Sequence, residues 1–484
     1  MSLTLGIDLG TSGIKAAILE DAARVLASAA HPVAVSIPQM GWSEQDPDLW
    51  VSTVWACLDD LAASHPAEMA AVTGIGLSGQ MLACLILDGD LRPLRPAMLW
   101  NDQRAIAECA DLSARVPDIG NRTNGTPDPG ITAPKLLWLA KNEPRVLAQA
   151  KMLMLTKDYV RLALTGEVAC DPTDAGGTQL FDCRAGSWDP KLCQALNWDP
   201  AHLPPILNPW DAAGALRPAL ARRWGMRATL PVATGCGDNM GSSLGAGAAT
   251  PGDAVLTIGT SGVACLVDAK FSPGPQSAIL TSAHAAPNAY LSMGVVMAAT
   301  AALDWTARLT GMTPAALVAA ATDLSPAQRA DAPIFLPALN GIRTPLNRPD
   351  AMGRMDGLHP GVTPASLGYA LLEGVAFQFA DCIAAQRAVG VTPPKRFLAV
   401  GGGTRSTLWV QLLATILDHP VDLPEGSEVA GPAGAARLAS VAAGAPISTL
   451  STPRQARATI QPDPQLAALI APRKTRFDRL TASL

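Results

Sequence analysis

"GIDLGTSGIKA" occupies residues 6–16, and "TIGTSGVAC" at residues 257–265 repeats its turn, with Thr257 standing where the first copy has Asp8. Each copy follows an apolar run and continues in apolar alternation, as the second strand of a hairpin does. Strand, glycine turn, strand differs from the dinucleotide and P-loop patterns, whose glycines open directly into a helix. One turn written into both halves of a chain predicts two related units that face a shared ligand.

At 484 residues the chain exceeds one ordinary core, so two domains are expected. The composition shift near Ala248 to Gly252 divides them into 1–248 and 249–484. No uninterrupted apolar run reaches the roughly 18 residues of a membrane helix. The N-terminal stretch lacks a basic flank and meets an acid at Asp8, so no leader or membrane association is expected and a cytoplasmic location is. Nine cysteines without a close pair and six isolated histidines read as reduced thiols, and neither a disulfide framework nor a zinc site. The formal charge of −5 argues against the basic face that a nucleic-acid partner requires, so none is expected.

Leu3 to Ile7 reads as a buried strand, and "VTGIGLSGQM" (72–81) as another. "LACLILDGDLRPLRPAMLW" (82–100) reads as two more strands about the turn Asp88-Gly89-Asp90, all in one mixed sheet. "ITAPKLLWLAKNEP" (131–144) predicts a helix capped by Thr132, with Pro134 in its first turn, ending before Pro144. Pro231 to Thr234 is a short strand, with a helix of small residues after Asp238. Residues 365–386 form a long amphipathic helix. "RFLAVGGG" (396–403) is a strand entering three glycines, and the helix of 404–417 faces that turn with its N-terminus.

A glycine turn presents backbone N–H groups without side-chain bulk, and several together cradle phosphate oxygens. Three such cradles occur: Gly10 to Gly13, Gly259 to Gly262, and Gly401 to Gly403, the last with a helix dipole behind it. Three cradles in two domains fit a nucleotide held in a cleft between them. Asp8 ends a buried strand just before the first cradle, where a carboxylate needs compensation. Mg²⁺ on phosphate oxygens would supply it, or Asp8 caps its own turn. Asp238, between Gly237 and Asn239 at a strand end, is placed to act as base for a phosphoryl acceptor hydroxyl, as a helix N-cap, or both.

Taken in order, "IDLGTSGIKA", "GITAPKLLWLAKN", "GCGDNMGSSLGAG", "TIGTSGV" and "AVGGGTRSTLWVQLLA" resemble the FGGY family of carbohydrate kinases over nearly the whole chain. The resemblance implies an α/β protein of the duplicated actin-like, hexokinase-like ATPase fold, two ribonuclease H-like halves around a central cleft. It implies ATP and Mg²⁺, with Asp238 as general base and Asp8 near the metal. Met81, Leu82, Trp100, Asp102 and Asn239 would line the sugar. Thr11, Ser12, Gly259, Thr260, Ser261, Gly401, Gly402 and Gly403 would lie along the ATP. The sugar and metal side falls to 1–248 and the nucleotide side to 249–484, and a homodimer is the family's implied state.

"WSEQDPDLW", "RPAMLWNDQRA", "LTKDYVRLALTGE" and "GIRTPLN" look most like the family's pentulose kinases, which implies D-xylulose as acceptor. Two departures bear on the sugar. Those members read Gly-Gln-Met-His-Gly where this chain has "GQMLAC", so Leu82 replaces a histidine, and Ile342 stands where "GERTP" is usual. Asp102 and Arg104 of "WNDQR" either reach the sugar or pair with each other. The second family signature is matched only loosely around residues 353–374. Alternatives are another ketose or polyol (ribulose, an alditol, a deoxy-pentulose) and a non-metabolic ATPase of the actin and heat-shock-protein fold.

Overall fold

The computed structural model describes residues 2–484. The chain forms two compact units: Met1–Thr250 with Thr281–Leu291 and Val429–Arg454, and Pro251–Leu280 with Ser292–Glu428 and Gln455–Leu484.

The first unit is built on the hairpin of residues 6–16. Strands Leu3–Leu9 and Gly13–Glu20 pair antiparallel, and Gly10 N–H donates to Gly13 O at 3.1 Å across the turn. Val72–Gly79 lies parallel to Leu3–Leu9, and both Pro231–Ala233 and Cys236–Gly237 lie parallel to Val72–Gly79. Arg24–Pro32 and Ala212–Ala215 close the edges of this seven-stranded sheet. The strands Leu85–Leu87 and Ala97–Met98 do not join it. They pair with Met152–Met154 and Glu44–Gln45 in small separate ribbons: Leu85, Leu87 and Ala97 face the main core, while Ile86 and Met98 face a satellite core around Leu112, Leu136 and Leu153.

One face of the sheet is covered by a helix that hydrophobic periodicity does not reveal. Ala430–Ala442, "AGPAGAARLASVA", carries mostly small residues and is buried along most of its length. A Cβ on Gly6 would lie 1.8 Å from Pro432 O, one on Gly76 1.9 Å from Ala435 O, and one on Gly245 1.8 Å from Ala430 O. Backbones this close leave no room for side chains, so the contact depends on Gly6 and Gly76 in the strands, Gly245 in helix Asp238–Ala246, and small residues in Ala430–Ala442.

The second unit repeats the plan. Gly262–Asp268, Asp253–Ile258, Arg396–Val400, Val421–Pro424 and Ala456–Ile460 are successive neighbours, antiparallel, parallel, parallel and antiparallel. The second glycine turn thus joins the two strands equivalent to those of the first. "LSGQM" after Val72 and "AVGGG" after Arg396 become counterparts, each ending the parallel strand beside its hairpin. The long helix is Pro364–Ala388, and it is covered on nearly all sides instead of being amphipathic, with Tyr369, Leu372, Phe377 and Phe379 fully buried. It is long and apolar enough to cross a membrane, but its apolar surface is mostly covered inside the unit.

One predicted cap and one predicted helix start are corrected. Helix Thr132–Asn142 is capped by Ile131 in extended conformation, without a side-chain bond, and the Thr132 hydroxyl donates instead to Leu82 O at 3.2 Å. After the three glycines the chain makes a 3₁₀ turn, Gly402–Arg405, and the helix begins at Thr407 with Ser406 accepting from Trp409 N. All nine cysteines are free thiols.

Candidate active site

Asp8 and Asp238 both sit at carboxyl ends of parallel strands in the first unit, the edge at which open α/β sheets bind ligands. Asp8 is in register with Ser78, and Ser78 with Cys236. Two strand spacings therefore put the Asp8 and Cys236 backbones about 10 Å apart, with Asp238 two residues further on. Ser78 Oγ donates to Asp8 Oδ1 at 2.7 Å. Gly431 faces the same carboxylate, and a Cβ there would lie 2.5 Å from it.

Burial raises the Asp8 carboxyl above the ordinary range, against the Ser78 hydrogen bond and the charge of Lys15. Asp238 is the first residue of helix Asp238–Ala246, and Gly237 is the cap. A plain N-cap role for Asp238 is thereby excluded, and its Oδ1 accepts from Asn239 N at 2.8 Å and Asn239 Nδ2 at 3.1 Å. Burial, and then the charge of Asp8, push the Asp238 carboxyl up to about 7. A carboxylate poised there is matched to proton transfer near neutral pH.

The two acids repel each other, and a divalent cation at Asp8 would relieve both. Among the described residues no three His, Cys, Asp or Glu side chains gather to hold a metal. Mg²⁺ takes one or two carboxylates and completes its shell with water and phosphate oxygens, and Asp8 offers such a carboxylate.

Sequence reading missed what holds the Asp238 segment in place. Arg161 Nη1 donates to Thr234 O at 2.8 Å, and Gly237 N donates to Thr173 Oγ1 at 2.9 Å. Both clamps lead into one buried ion cluster. Lys157 Nζ meets Asp158 at 2.7 Å, Asp171 at 2.8 Å and Asp174 at 3.2 Å, Arg161 meets Asp158 at 2.7 Å, and all five side chains are unexposed. Asp171 Oδ2 accepts from Thr173 N at 2.8 Å, so the cluster orients Thr173. The signal was the charge density of "LTKDYVRLALTGE" and "CDPTDAGG", which periodicity alone assigns to a solvated face. Thr173→Val removes the hydroxyl, leaves Gly237 N–H unpaired, and is expected to cost about 1–3 kcal/mol of stability. Turnover should fall about 10-fold, and Thr173→Ser should restore both; denaturant unfolding with steady-state kinetics checks this.

Of the acceptor-side residues, Met81 packs on the backbone before Asp238: a Cβ on Gly237 would lie 2.6 Å from Met81 Sδ. Leu82 covers Gly177, whose Cβ would lie 2.5 Å from Leu82 Cδ2, and Leu82 itself has left-handed backbone with φ +70°. Trp100 is 44% exposed, and its Nε1 donates to Thr11 Oγ1 at 2.9 Å. Thr11 Oγ1 donates on to Gln80 Oε1 at 2.9 Å, and Gln80 Nε2 to Gln45 Oε1 at 2.8 Å. The first glycine turn is thus wired to Trp100 through the Thr11 hydroxyl, while Ser12 stays exposed.

Asp102 does not face this surface. It is fully buried, and its oxygens accept from Ser43 N at 2.7 Å, Arg104 Nε at 2.9 Å and Arg104 Nη2 at 2.7 Å. Arg104 stacks over Trp42, 3.6 Å from the ring centroid. The pairing alternative holds: with both oxygens occupied, Asp102 is a structural anchor.

In the second unit, the turn after Ile258 is tied down by its carbonyls. Thr300 N donates to Gly259 O at 2.9 Å and Ala299 N to Thr260 O at 2.9 Å. Thr260 is left exposed and Ser261 half-buried. Gly401 has φ +94°, and a Cβ on it would lie 2.6 Å from Ile258 O, while one on Gly403 would lie 2.2 Å from Ile258 Cγ2. A Cβ on Gly402 meets nothing within 4 Å. Gly401 and Gly403 therefore seat one glycine turn against the other, and Gly402 offers open backbone.

The N-terminal-domain profile of the FGGY family of carbohydrate kinases matches residues 3–245, and its C-terminal-domain profile matches residues 254–443. Over 483 residues the chain is 39% identical to the xylulose kinase of Escherichia coli strain K12, covering 99% of each. A crystal structure of a xyloylose kinase from Brucella ovis superposes with a TM-score of 0.95 at 39% identity, covering 99% of both chains. That of a xylulose kinase from Rhodospirillum rubrum gives 0.90 at 30% identity, covering 100% of this chain and 99% of that one. With two acids at the strand ends of one half, glycine turns repeated in the other, and both domain profiles matched in order, the chain belongs to the FGGY family of carbohydrate kinases, ATP-using phosphotransferases with an alcohol group as acceptor.

Proposed function

We propose that this kinase phosphorylates D-xylulose, giving D-xylulose 5-phosphate and ADP. The observation that carries the reading is Asp238, held at a strand end with its carboxyl pushed up to about 7 and flanked by Met81. Its free carboxylate oxygen takes the proton of the 5-hydroxyl as the new O–P bond forms and the bond from the γ-phosphorus to the ADP oxygen breaks. Asn239 orients Asp238 through its backbone and side-chain N–H groups. Thr260, Ser261 and the Gly401–Gly403 backbone of the second unit offer donors to the nucleotide. Asp8 would hold Mg²⁺, whose charge neutralises phosphate oxygens when bound.

Relatives named xylulose kinase at 39% and 38% identity support the sugar. The test is ADP release with MgATP against D-xylulose, L-xylulose, D-ribulose, L-ribulose, glycerol and erythritol. Selective turnover of D-xylulose is expected, and preference for another acceptor would replace the sugar while keeping the chemistry, with Leu82 and Ile342 as the first positions to exchange. Asp8→Ala should lower kcat about 100-fold and raise the Mg²⁺ concentration giving half-maximal rate. An unchanged Mg²⁺ titration would return Asp8 to a structural role.

A further inference from the structure

The proposed chemistry leaves Lys135 without a task. Lys135, in helix Thr132–Asn142, has no exposed surface. Its Nζ donates to Gly130 O at 2.6 Å, Leu99 O at 2.7 Å, Leu82 O at 3.0 Å and Met98 O at 3.4 Å. Four backbone carbonyls around one ammonium form a cage of dipoles, with no carboxylate among the acceptors.

These carbonyls come from three stretches far apart in the chain. One carries Met81 and Leu82, the second leads directly into Trp100, and the third is Gly130, where a Cβ would lie 1.9 Å from Trp100 O. Leu82 pays a conformational penalty for its φ of +70°, since side chains with a Cβ disfavour that region. In this conformation its carbonyl turns inward to Lys135 and to the Thr132 hydroxyl at 3.2 Å, and its side chain is displayed over Gly177.

We propose that Lys135 is a positioning residue for the acceptor, its ammonium gathering the Met81–Leu82 and Trp100 segments into one sugar-facing surface. This rests on the reading of Met81, Leu82 and Trp100 as sugar-lining. Burial lowers the Lys135 ammonium to about 8, with Asp102 and Asp128 favouring the charge and Arg104 opposing it. Cys84, pushed up to about 11, stays a neutral thiol through that range. A neutral amine has two hydrogens and a lone pair to set against four carbonyl oxygens, so the cage loosens as pH rises through the Lys135 value.

The experiment compares the wild-type kinase and Lys135→Met from pH 6.5 to 9.5, reading KM for D-xylulose, KM for ATP and sugar-independent ATP hydrolysis. Lys135→Met should raise KM for the sugar at least about 10-fold and leave the two nucleotide readings unchanged. The wild-type sugar KM should climb above pH 8, and this climb should be missing in the variant. A lysine that serves stability alone would lower the unfolding temperature without separating the two KM values, and that result overturns the proposal. If Lys135→Met does not fold, the wild-type profile decides: a sugar KM flat across the range overturns it, and a rise without a matching rise for ATP supports it. Failure of the substrate reading looks different, because wild type then releases no ADP with D-xylulose at any pH. The same constants are then read with whichever acceptor of the panel turns over, and turnover of none overturns both readings.

Discussion

Asp238→Asn should retain nucleotide binding and lose sugar phosphorylation, with kcat down about 1,000-fold, within the range a positioned general base contributes. The amide keeps the shape and the bonds from Asn239, so the loss isolates proton acceptance from positioning. ADP release with the acceptor and calorimetric titration with ATP measure the two quantities, and equal turnover would remove Asp238 from the chemistry. Because burial and the charge of Asp8 hold the carboxyl up to about 7, wild-type turnover should rise with pH through that value and level off above it. Mg²⁺ held at Asp8, as proposed, would cancel the repulsion, so the limb should shift to lower pH as Mg²⁺ increases. The same raised value makes the ionised acid a burden on the fold: the native carboxyl holds its proton to higher pH than the unfolded one, so the cost grows from about pH 4 to 7 and is complete above. Asp238→Asn should therefore raise the unfolding temperature more at pH 8 than at pH 4. Activity and stability pull in opposite directions at this residue.

Gly6→Ala should abolish the folded state at 37 °C. A methyl group there would stand 1.8 Å from Pro432 O, and neither a strand at the centre of the sheet nor the buried helix Ala430–Ala442 has anywhere to shift. Overpacking against backbone on this scale costs about 4 kcal/mol or more, a large part of the stability of an ordinary domain. Soluble expression and thermal unfolding read the result. Gly89→Ala, where a Cβ would come no nearer than 3.9 Å to a flexible Lys151 side chain, is the control and should behave as wild type. A well-folded Gly6→Ala protein would mean that the helix moves freely on the sheet.

Much of this architecture was legible in short stretches. Turn chemistry is local: Gly10-Thr11-Ser12-Gly13 and Gly259-Thr260-Ser261-Gly262 bend the backbone wherever they occur, and the apolar runs beside them pair as hairpins. Asp8 and Asp238 could be singled out because an acid within two residues of a glycine turn, at the end of an apolar run, has few structural uses. The separate ribbons of Leu85–Leu87 and Ala97–Met98 were not legible, since alternation marks a strand and says nothing about which sheet it joins. The helix Ala430–Ala442 escaped notice because alanine and glycine give almost no periodic signal.

Local order of residues thus sufficed for the duplicated hairpins, the three glycine turns and the two acids, because each depends on neighbours a few bonds away. Packing alone decided which acids have their oxygens taken by partners and which are buried with a raised carboxyl. Asp102 and Asp238 look alike in sequence, each a lone acid beside an asparagine, yet Arg104 and Ser43 occupy the oxygens of the first while Asp8 repels the second. Lys135 and Lys157 each lie in the first turn of a helix, where nothing local says what they meet. One ends in a cage of carbonyls and the other among three aspartates, since burial makes every charge depend on partners brought together from distant parts of the chain.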